Sequence, residues 1–300
     1  MKSRYNNKMI PVWLLSVVLM STTTLVIAQD VTVTEEKKEV KPVRSTFEST
    51  WLIDNQSVMV PEKGALQMDI MHRFGTVNNG YDDFFGLYAP SNIRIGMSYV
   101  PMDKLIVGFG FTKVNLTWDF NAKYSLLKQM NSGGSPVSLT FFGNIAVDTR
   151  PAENFVNGTD RLSYFSQLII ARKVSENFSI QVAPSLSHFN AVEGYVNAED
   201  EIEGKMKNDH FAVSIGARYK VTSGTVIIVN YDQPLTKHTT DNPEPNIAFG
   251  VEFNTSSHAF QLFFSNYQYT VPQLNNMYNQ NDYREGQFLI GFNITRLWSF

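Results

Sequence analysis

The sequence predicts an all-β protein: a transmembrane antiparallel β-barrel of about twelve strands, with short periplasmic turns and longer extracellular loops. Three observations carry this prediction. Apolar and polar residues alternate in one segment after another, short and long connections alternate between those segments, and the last segment alternates up to an aromatic final residue, Phe300. Alternation at period 2 places the two sets of side chains on opposite faces of a strand.

The amino end has the layout of a secretory signal peptide. Three basic residues stand at the start, an apolar stretch covers residues 12–27, and Ala28 ends a small-residue cleavage site. The apolar stretch is shorter than the roughly 20 residues that a membrane-spanning helix needs. We therefore expect residues 1–28 to be a cleaved signal peptide rather than a membrane anchor.

Residues 29–63 are expected to form a periplasmic tether and a pre-barrel segment. Charged residues dominate positions 35–41, so residues 30–45 have little to bury and are predicted to be disordered. The apolar residues within 46–63 allow two interpretations, an early strand or a segment folded into the barrel mouth. The barrel itself is expected to cover residues 64–300.

Twelve segments show the alternating pattern of barrel strands. In 162–173 and 225–232 both faces are apolar, so the register there is the least determined. The segments are 65–70, 93–99, 105–111, 116–125, 137–147, 162–173, 178–189, 211–220, 225–232, 247–254, 260–265 and 288–300.

The connections support the same fold independently. Apart from the short link at 113–115, short connections (101–103, 175–177, 222–224, 255–257, and a medium one at 127–136) alternate with long ones (75–91, 149–161, 190–208, 233–245, 267–286). Outer-membrane barrels have short periplasmic turns and longer outer loops. A secreted β-sandwich also gives alternating strands, but it explains neither this alternation nor the aromatic carboxyl terminus.

Composition narrows the function classes. The net charge is −3, which gives no reason to expect nucleic-acid binding, and cysteine is absent, which excludes disulfides and thiol chemistry. A closed sheet supplies the stability that disulfides would otherwise provide, because every strand then has two hydrogen-bonded neighbours.

The final strand resembles that of bacterial outer-membrane barrels. The resemblance implies that Trp298 and Phe300 form an assembly signal for the barrel assembly machinery. More widely, the chain resembles an uncharacterised outer-membrane β-barrel family of Gram-negative bacteria, which implies an outer-membrane location and a lipid environment but no substrate. The matching stretches are 57–58, 63–64, 72–75, 85–87, 123–129, 258–262 and 291–296.

The predicted inward face carries charges of both signs. One interpretation is a wet wall that passes small polar solutes; the other is a paired network that fills a narrow barrel, since about eight strands pack solid and 16–18 leave a channel. The candidate lumen-lining residues are Asp69, Arg94, Asp119, Lys123, Asp148, Arg218, Lys220 and Glu252.

Two further residues are candidates for the rim. His72 and Arg73 lie where the first strand is expected to leave the membrane, and Arg73 there would offer a cation to an anionic solute or head group, or cap the strand end.

Other motifs are weaker. The five histidines lack metal-ligand spacing, and the acidic residues of loop 190–208 are typical of a solvated surface, with Ca²⁺ binding as the alternative. His188 invites a lipid-hydrolase interpretation, but the adjacent Ser187 faces the other way, so a nucleophile would have to come from a neighbouring strand, such as Ser166.

The sequence therefore predicts a non-enzymatic outer-membrane protein, a porin-like passive conduit or binding pore for small polar solutes. The alternatives are a closed barrel that acts through its outer loops and, less favoured, a lipid-modifying enzyme. No cofactor, metal or catalytic residue is expected, and the predicted partners are membrane lipid, the assembly machinery and small polar solutes.

Overall fold

The computed structural model describes residues 40–300, and within that range twelve antiparallel strands close into a barrel. Each strand pairs with its sequence neighbours, and the last pairs with the first. The barrel strands are β3 (Leu66–Thr76), β4 (Asn92–Met102), β5 (Leu105–Thr112), β6 (Thr117–Leu127), β7 (Ser138–Val147), β8 (Leu162–Lys173), β9 (Phe178–Phe189), β12 (Asp209–Lys220), β13 (Thr225–Pro234), β14 (Asn246–Asn254), β15 (His258–Ser265) and β16 (Leu289–Trp298).

Four short strands and one helix lie outside the barrel wall. The hairpin β1 (Trp51–Leu52) and β2 (Asn55–Gln56) precedes the barrel, and β10 (Gly194–Val196) and β11 (Ile202–Gly204) form a hairpin in the third long loop. Helix α1 (Pro272–Tyr278) lies in the last loop. Short 3-10 turns occur at Val77–Asp83, Val114–Leu116, Ala152–Asn154 and Tyr283–Glu285.

The predicted fold class is confirmed, and each of the twelve predicted segments corresponds to one barrel strand. The termini of the barrel and the connections after β4, β6, β8, β12 and β14 share one end, which we call the turn end. The opposite, loop end carries the long connections and also the short link at 113–116. The predicted signal peptide, residues 1–28, lies outside the described residues.

The alternating pattern sets which face of each strand is inward. In β16, Ile290, Phe292 and Ile294 face outward, whereas Asn293 and Thr295 are buried inside. Trp298 ends this strand and pairs with Leu66, and Phe300 beyond it is 91% exposed. The assembly role of Trp298 and Phe300 stays a prediction.

The outward face is strongly apolar. Side chains exposed along the strands include aromatic residues at both ends of the wall, as interfacial girdles require. They include Tyr99, Phe109, Phe111, Trp118, Phe120, Tyr124, Phe141, Ile145, Phe211, Tyr219, Phe249 and Leu262. Among the described residues, no helix is long and apolar enough to cross a membrane.

In β8 and β13, the two strands with apolar residues on both faces, the inward apolar residues are buried. Phe165 and Ile169 of β8 and Val226 and Ile228 of β13 point inward and are at least 95% buried. They belong to an apolar cluster that includes residues from before the barrel. Residues that precede the barrel in the chain therefore pack against its inner wall.

Candidate functional site in the barrel lumen

The lumen is occupied by residues 45–59, which we call the plug segment. Its hairpin β1–β2 turns at Asp54, and Ser57 N donates to Thr50 O at 2.9 Å. Residues 46–58 are almost all buried. Of the two interpretations of residues 46–63, the folded-in segment is the nearer one, but it lies inside the lumen rather than only at the mouth, because it contacts inward-facing side chains on most of the barrel strands. Residues 41–43, predicted to be disordered, pair with the 128–137 turn.

Wall side chains satisfy the plug segment's backbone. Because each strand of the β1–β2 hairpin has only two residues, the hairpin itself pairs few of the segment's carbonyl groups, and a buried carbonyl needs a donor. Lys123 Nζ lies 3.2 Å from both Thr50 O and Ser57 O. Three amides complete the set, with Gln261 Nε2 donating to Trp51 O at 2.9 Å, Asn293 Nδ2 to Ile53 O at 2.7 Å and Gln181 Nε2 to Gln56 O at 2.9 Å.

An ion pair anchors the tip of the plug segment. Arg73 Nη2 lies 2.7 Å from Asp54 Oδ1, and neither side chain is more than 6% exposed. Arg73 also donates to Asn293 Oδ1 and lies 4.6 Å from the centre of the Phe263 ring. The rim interpretation is therefore wrong for Arg73, because its strand position faces inward. His72 faces outward and stacks on Phe292, with 5.2 Å between ring centres.

Apolar side chains of the plug segment also pack against the inner wall. Phe47, Leu52, Ile53 and Val58 cluster with the inward apolar residues of the wall. A Cβ on Gly216 would lie 2.3 Å from Leu52 Cδ2, so the absence of a side chain there makes room for Leu52.

The last loop enters the lumen from the opposite end. Helix α1 places Gln273 Nε2 2.9 Å from Asn144 Oδ1 of β7, and Val271, Leu274 and Met277 pack with Phe189 and Met206. The Asn275 side-chain amide donates to Asp54 Oδ2. The plug segment and the loop helix thus meet inside the barrel.

A second network of charged side chains lies on the inner face of the wall, beside the plug segment. Arg94 Nη1 lies 2.5 Å from Asp69 Oδ2 and its Nε 2.7 Å from Asp119 Oδ2, with all three side chains 2% exposed. Asn144 Nδ2 also donates to Asp119 Oδ1, at 3.0 Å. A Cβ at Gly110 would overlap the Arg94 guanidinium. The network is therefore fully enclosed.

The remaining predicted lumen residues divide between wall and rim. Arg218 and Glu252 are buried near the turn end; Arg218 Nη2 lies 2.9 Å from Glu48 Oε1, and Gln261 Nε2 lies 2.7 Å from Glu252 Oε2. Lys220 is partly exposed at the turn end. Asp148 lies just beyond β7 at the loop end, 2.6 Å from Arg150 Nη2, and so stands at the mouth rather than along the lumen.

Comparison with known proteins gives the family. A family model described as a membrane bound beta barrel domain, DUF5777, matches residues 47–298, which includes most of the plug segment. The chain belongs to this family. No curated protein matches it.

Solved structures share the fold of this family member. The COG4313 outer membrane channel from Pseudomonas putida F1 matches with a TM-score of 0.50 and 11% identity, over 80% of this chain and 97% of that one. The NanC porin (TM-score 0.48, 7% identity, 78% and 99% covered) and the KdgM porin (0.45, 9%, 78% and 99%) are also similar. The family model and the channel from Pseudomonas putida F1 thus agree on the fold, a membrane β-barrel.

The residues of the weaker sequence motifs make the following contacts in the barrel. His188 Nδ1 lies 2.7 Å from Asp209 Oδ1, and Ser166 pairs with Leu186 rather than with His188. The loop acids are engaged locally, with Glu193 3.0 Å from Lys205 and Glu203 2.7 Å from the Tyr195 hydroxyl. In residues 40–300, no group of three or more His, Asp or Glu side chains is placed to hold a metal ion.

A histidine pair at the loop end was not apparent from the sequence. His210 Nδ1 lies 2.8 Å from His238 Nε2, and His238 Nδ1 accepts a hydrogen bond from Lys207 N at 2.9 Å. Burial lowers the pKa of His238 below its usual value, and the charge of Lys207 lowers it further. The accepting nitrogen must be unprotonated, so the contact depends on neutral His238.

This pair predicts a pH-dependent loop. Because folding lowers the pKa of His238, the docked loop is fully stable above about pH 6.5, the usual histidine value, and loses stability as the pH falls below it. We expect hydrogen exchange at the Lys207 amide to speed up several-fold between pH 7.5 and pH 5, after correction for the intrinsic pH dependence. In His238→Asn this extra acceleration should disappear; an equal acceleration in both proteins would contradict the prediction.

The sequence did not place the plug segment inside the lumen, although a segment folded into the barrel mouth was one of the two interpretations of residues 46–63. Its polar residues have no regular period, because it is neither a barrel strand nor a long helix. A usable signal was present in the wall: inward positions carry Phe142, Phe165, Ile169, Ile228 and Phe263, which would be unusual beside open water.

Proposed function

We propose that this chain is a conduit for small polar solutes whose passage its own plug segment closes. The observation that supports the proposal is the kind of contact that fills the lumen. The inner wall is polar and charged around one apolar cluster, and the lumen is filled by a separable segment that hydrogen bonds, ion pairs and four apolar side chains hold in place. Water and polar solutes can replace the polar contacts, whereas a lumen filled by the interlocking side chains of its own wall has no piece that can leave.

The twelve-strand wall does not depend on the plug segment for its backbone hydrogen bonds. The ladder from β3 round to β16 is complete without residues 45–59. A closed ladder is the main requirement for stability in a bilayer. The plug segment can therefore leave the lumen while the barrel persists.

Permeability of liposomes tests the proposal. We expect liposomes that contain the full chain to swell slowly in arabinose or glycine, and those that contain a chain lacking residues 46–58 to swell several-fold faster. A matched control lacks residues 194–204, the exposed β10–β11 hairpin, whose flanking residues lie side by side, with Lys205 N donating to Glu193 O at 2.8 Å. This control should swell like the full chain.

A folded but impermeable deletion variant would overturn the proposal and favour the alternative, a closed barrel that acts through its outer loops. Folding is checked by the change in electrophoretic mobility on heating. If the deletion prevents folding, Arg73→Met tests the same closure in a chain of full length.

A further inference from the structure

A cavity at the loop end lies directly above the closed passage. Its volume is about 540 Å³, within the usual range of ligand sites. Four connections line it: 114–117, 148–163, 189–193 and 269–278. We call this cavity the vestibule.

The floor of the vestibule belongs to the loop helix α1, which contacts the plug segment. Leu274 and Tyr278 of α1 line the cavity, and Asn275 between them reaches Asp54 of the plug segment. A solute bound in the vestibule therefore rests on the loop helix.

The vestibule carries aromatic surface. Phe155, Tyr269 and Tyr278 line it, and all three are only partly buried. Tyr278 packs edge-on against Phe189, with 5.2 Å between ring centres, which fixes its ring. Within residues 40–300, no side chain or backbone group is hydrogen bonded to the Tyr278 hydroxyl, so it is available to a ligand.

The charges around the vestibule are already engaged. Arg150 forms three side-chain contacts with Asp148, of 2.6, 3.0 and 3.1 Å. Arg161 donates to Asp148 O and lies 4.6 Å from the centre of the Phe155 ring, and Glu193 is held by Lys205. Asp160, the fifth charged residue of the lining, accepts from Asn157 N at 2.7 Å. Because the lining carries three acidic and two basic residues, an ionic ligand of either sign meets charges of its own sign and is attracted only weakly.

We infer that the vestibule binds a neutral, polyhydroxylated solute, such as a short saccharide, before passage. Rings that offer an apolar face and a polar tip suit a molecule with C–H faces and hydroxyl edges. Asn115, Asn154 and the Tyr278 hydroxyl supply hydrogen-bonding groups for those edges. The inference rests on the proposed conduit and names its solute class.

Calorimetry on the full chain tests it, in an amine-oxide detergent because sugar-headed detergents would compete. The probes are maltotriose, citrate and spermidine. We expect maltotriose to bind and the two ions to bind more weakly. Tyr278→Phe, which removes one hydroxyl, should weaken maltotriose binding on the order of fivefold, and Phe155→Ala should weaken it as well. Tyr81→Phe, on an exposed loop outside the vestibule, should bind like the unaltered chain.

Three results would overturn the inference: no maltotriose binding by the folded protein, tighter binding of citrate or spermidine, or unchanged binding in both vestibule variants. Binding in detergent does not require an open lumen. A permeable deletion variant combined with absent maltotriose binding would therefore reject the saccharide site and leave the conduit standing.

Discussion

Replacing Arg73 with Met is expected to open the barrel. Met fills similar space but leaves the Asp54 carboxylate in the lumen without its cation, at 6% exposure. Removing one partner of a buried ion pair costs about 3–5 kcal/mol. When the plug segment leaves the lumen, water solvates Asp54 and the cost disappears. The equilibrium should therefore shift toward the open barrel by about 10²- to 5 × 10³-fold.

Planar bilayers measure this shift as the open probability of single barrels. The full chain should be almost silent, and Arg73→Met should give discrete conductance steps. The double variant Arg73→Met with Asp54→Asn should return to near silence, because no buried charge remains and an Asn oxygen still accepts from Asn275. A closed single variant, or a double variant as open as the single one, would contradict the role of this pair.

Asp54→Asn alone should have a smaller effect than Arg73→Met. Arg73 would then lose its carboxylate but keep Asn293 Oδ1 and the carbonyl oxygen of His72 as acceptors. It would also keep the face of the Phe263 ring. The asymmetry follows from the number of partners that each charge retains.

Replacing Arg94 with Met is expected to produce the largest loss of stability. Arg94 neutralises both Asp69 and Asp119, so the substitution leaves two buried carboxylates close together without a cation. We expect the free energy of unfolding to fall by about 3–5 kcal/mol. Urea titration in lipid vesicles measures it, and Trp51, whose ring centre is 5.5 Å from the Arg94 guanidinium carbon, reports on the site.

Two variants separate the charge effect from lost packing. Arg284→Met breaks the loop contacts of Arg284 with Asp282 and Glu244, where the arginine is 60% exposed, and exposed pairs contribute at most about 1 kcal/mol. Arg94→Met combined with Asp69→Asn and Asp119→Asn removes every charge of the network and should recover most of the stability. A triple variant as unstable as the single one would show that packing dominates.

The sequence predicted the strands because each strand face meets a uniform environment. In β16, Ile290, Phe292 and Ile294 face outward while Asn293 and Thr295 face inward, and this pattern needs no knowledge of any partner. The alternation of short and long connections likewise distinguishes the two ends of the barrel, because each length can be counted in the chain without knowledge of any contact. Strand count, register parity and the inward placement of Asp69, Arg94, Asp119, Lys123, Arg218 and Glu252 could therefore be read from the chain.

The partners of those inward charges could not be predicted in the same way. The position of Arg73 near the end of β3 suggested an exposed rim, yet its carboxylate partner Asp54 comes from outside the barrel. Lys123 binds carbonyl oxygens, which every residue possesses and no motif marks. The contact between Asn275 and Asp54 joins residues 221 positions apart.

The sequence by itself determined the barrel, since alternation at period 2 and a closed ladder follow from local pattern and from the cost of unpaired backbone groups in lipid. Only the tertiary structure decided whether the lumen is open. That depends on where an aperiodic segment finds partners for its own carbonyls and charge, and those partners are brought together on the inner wall only when the sheet closes.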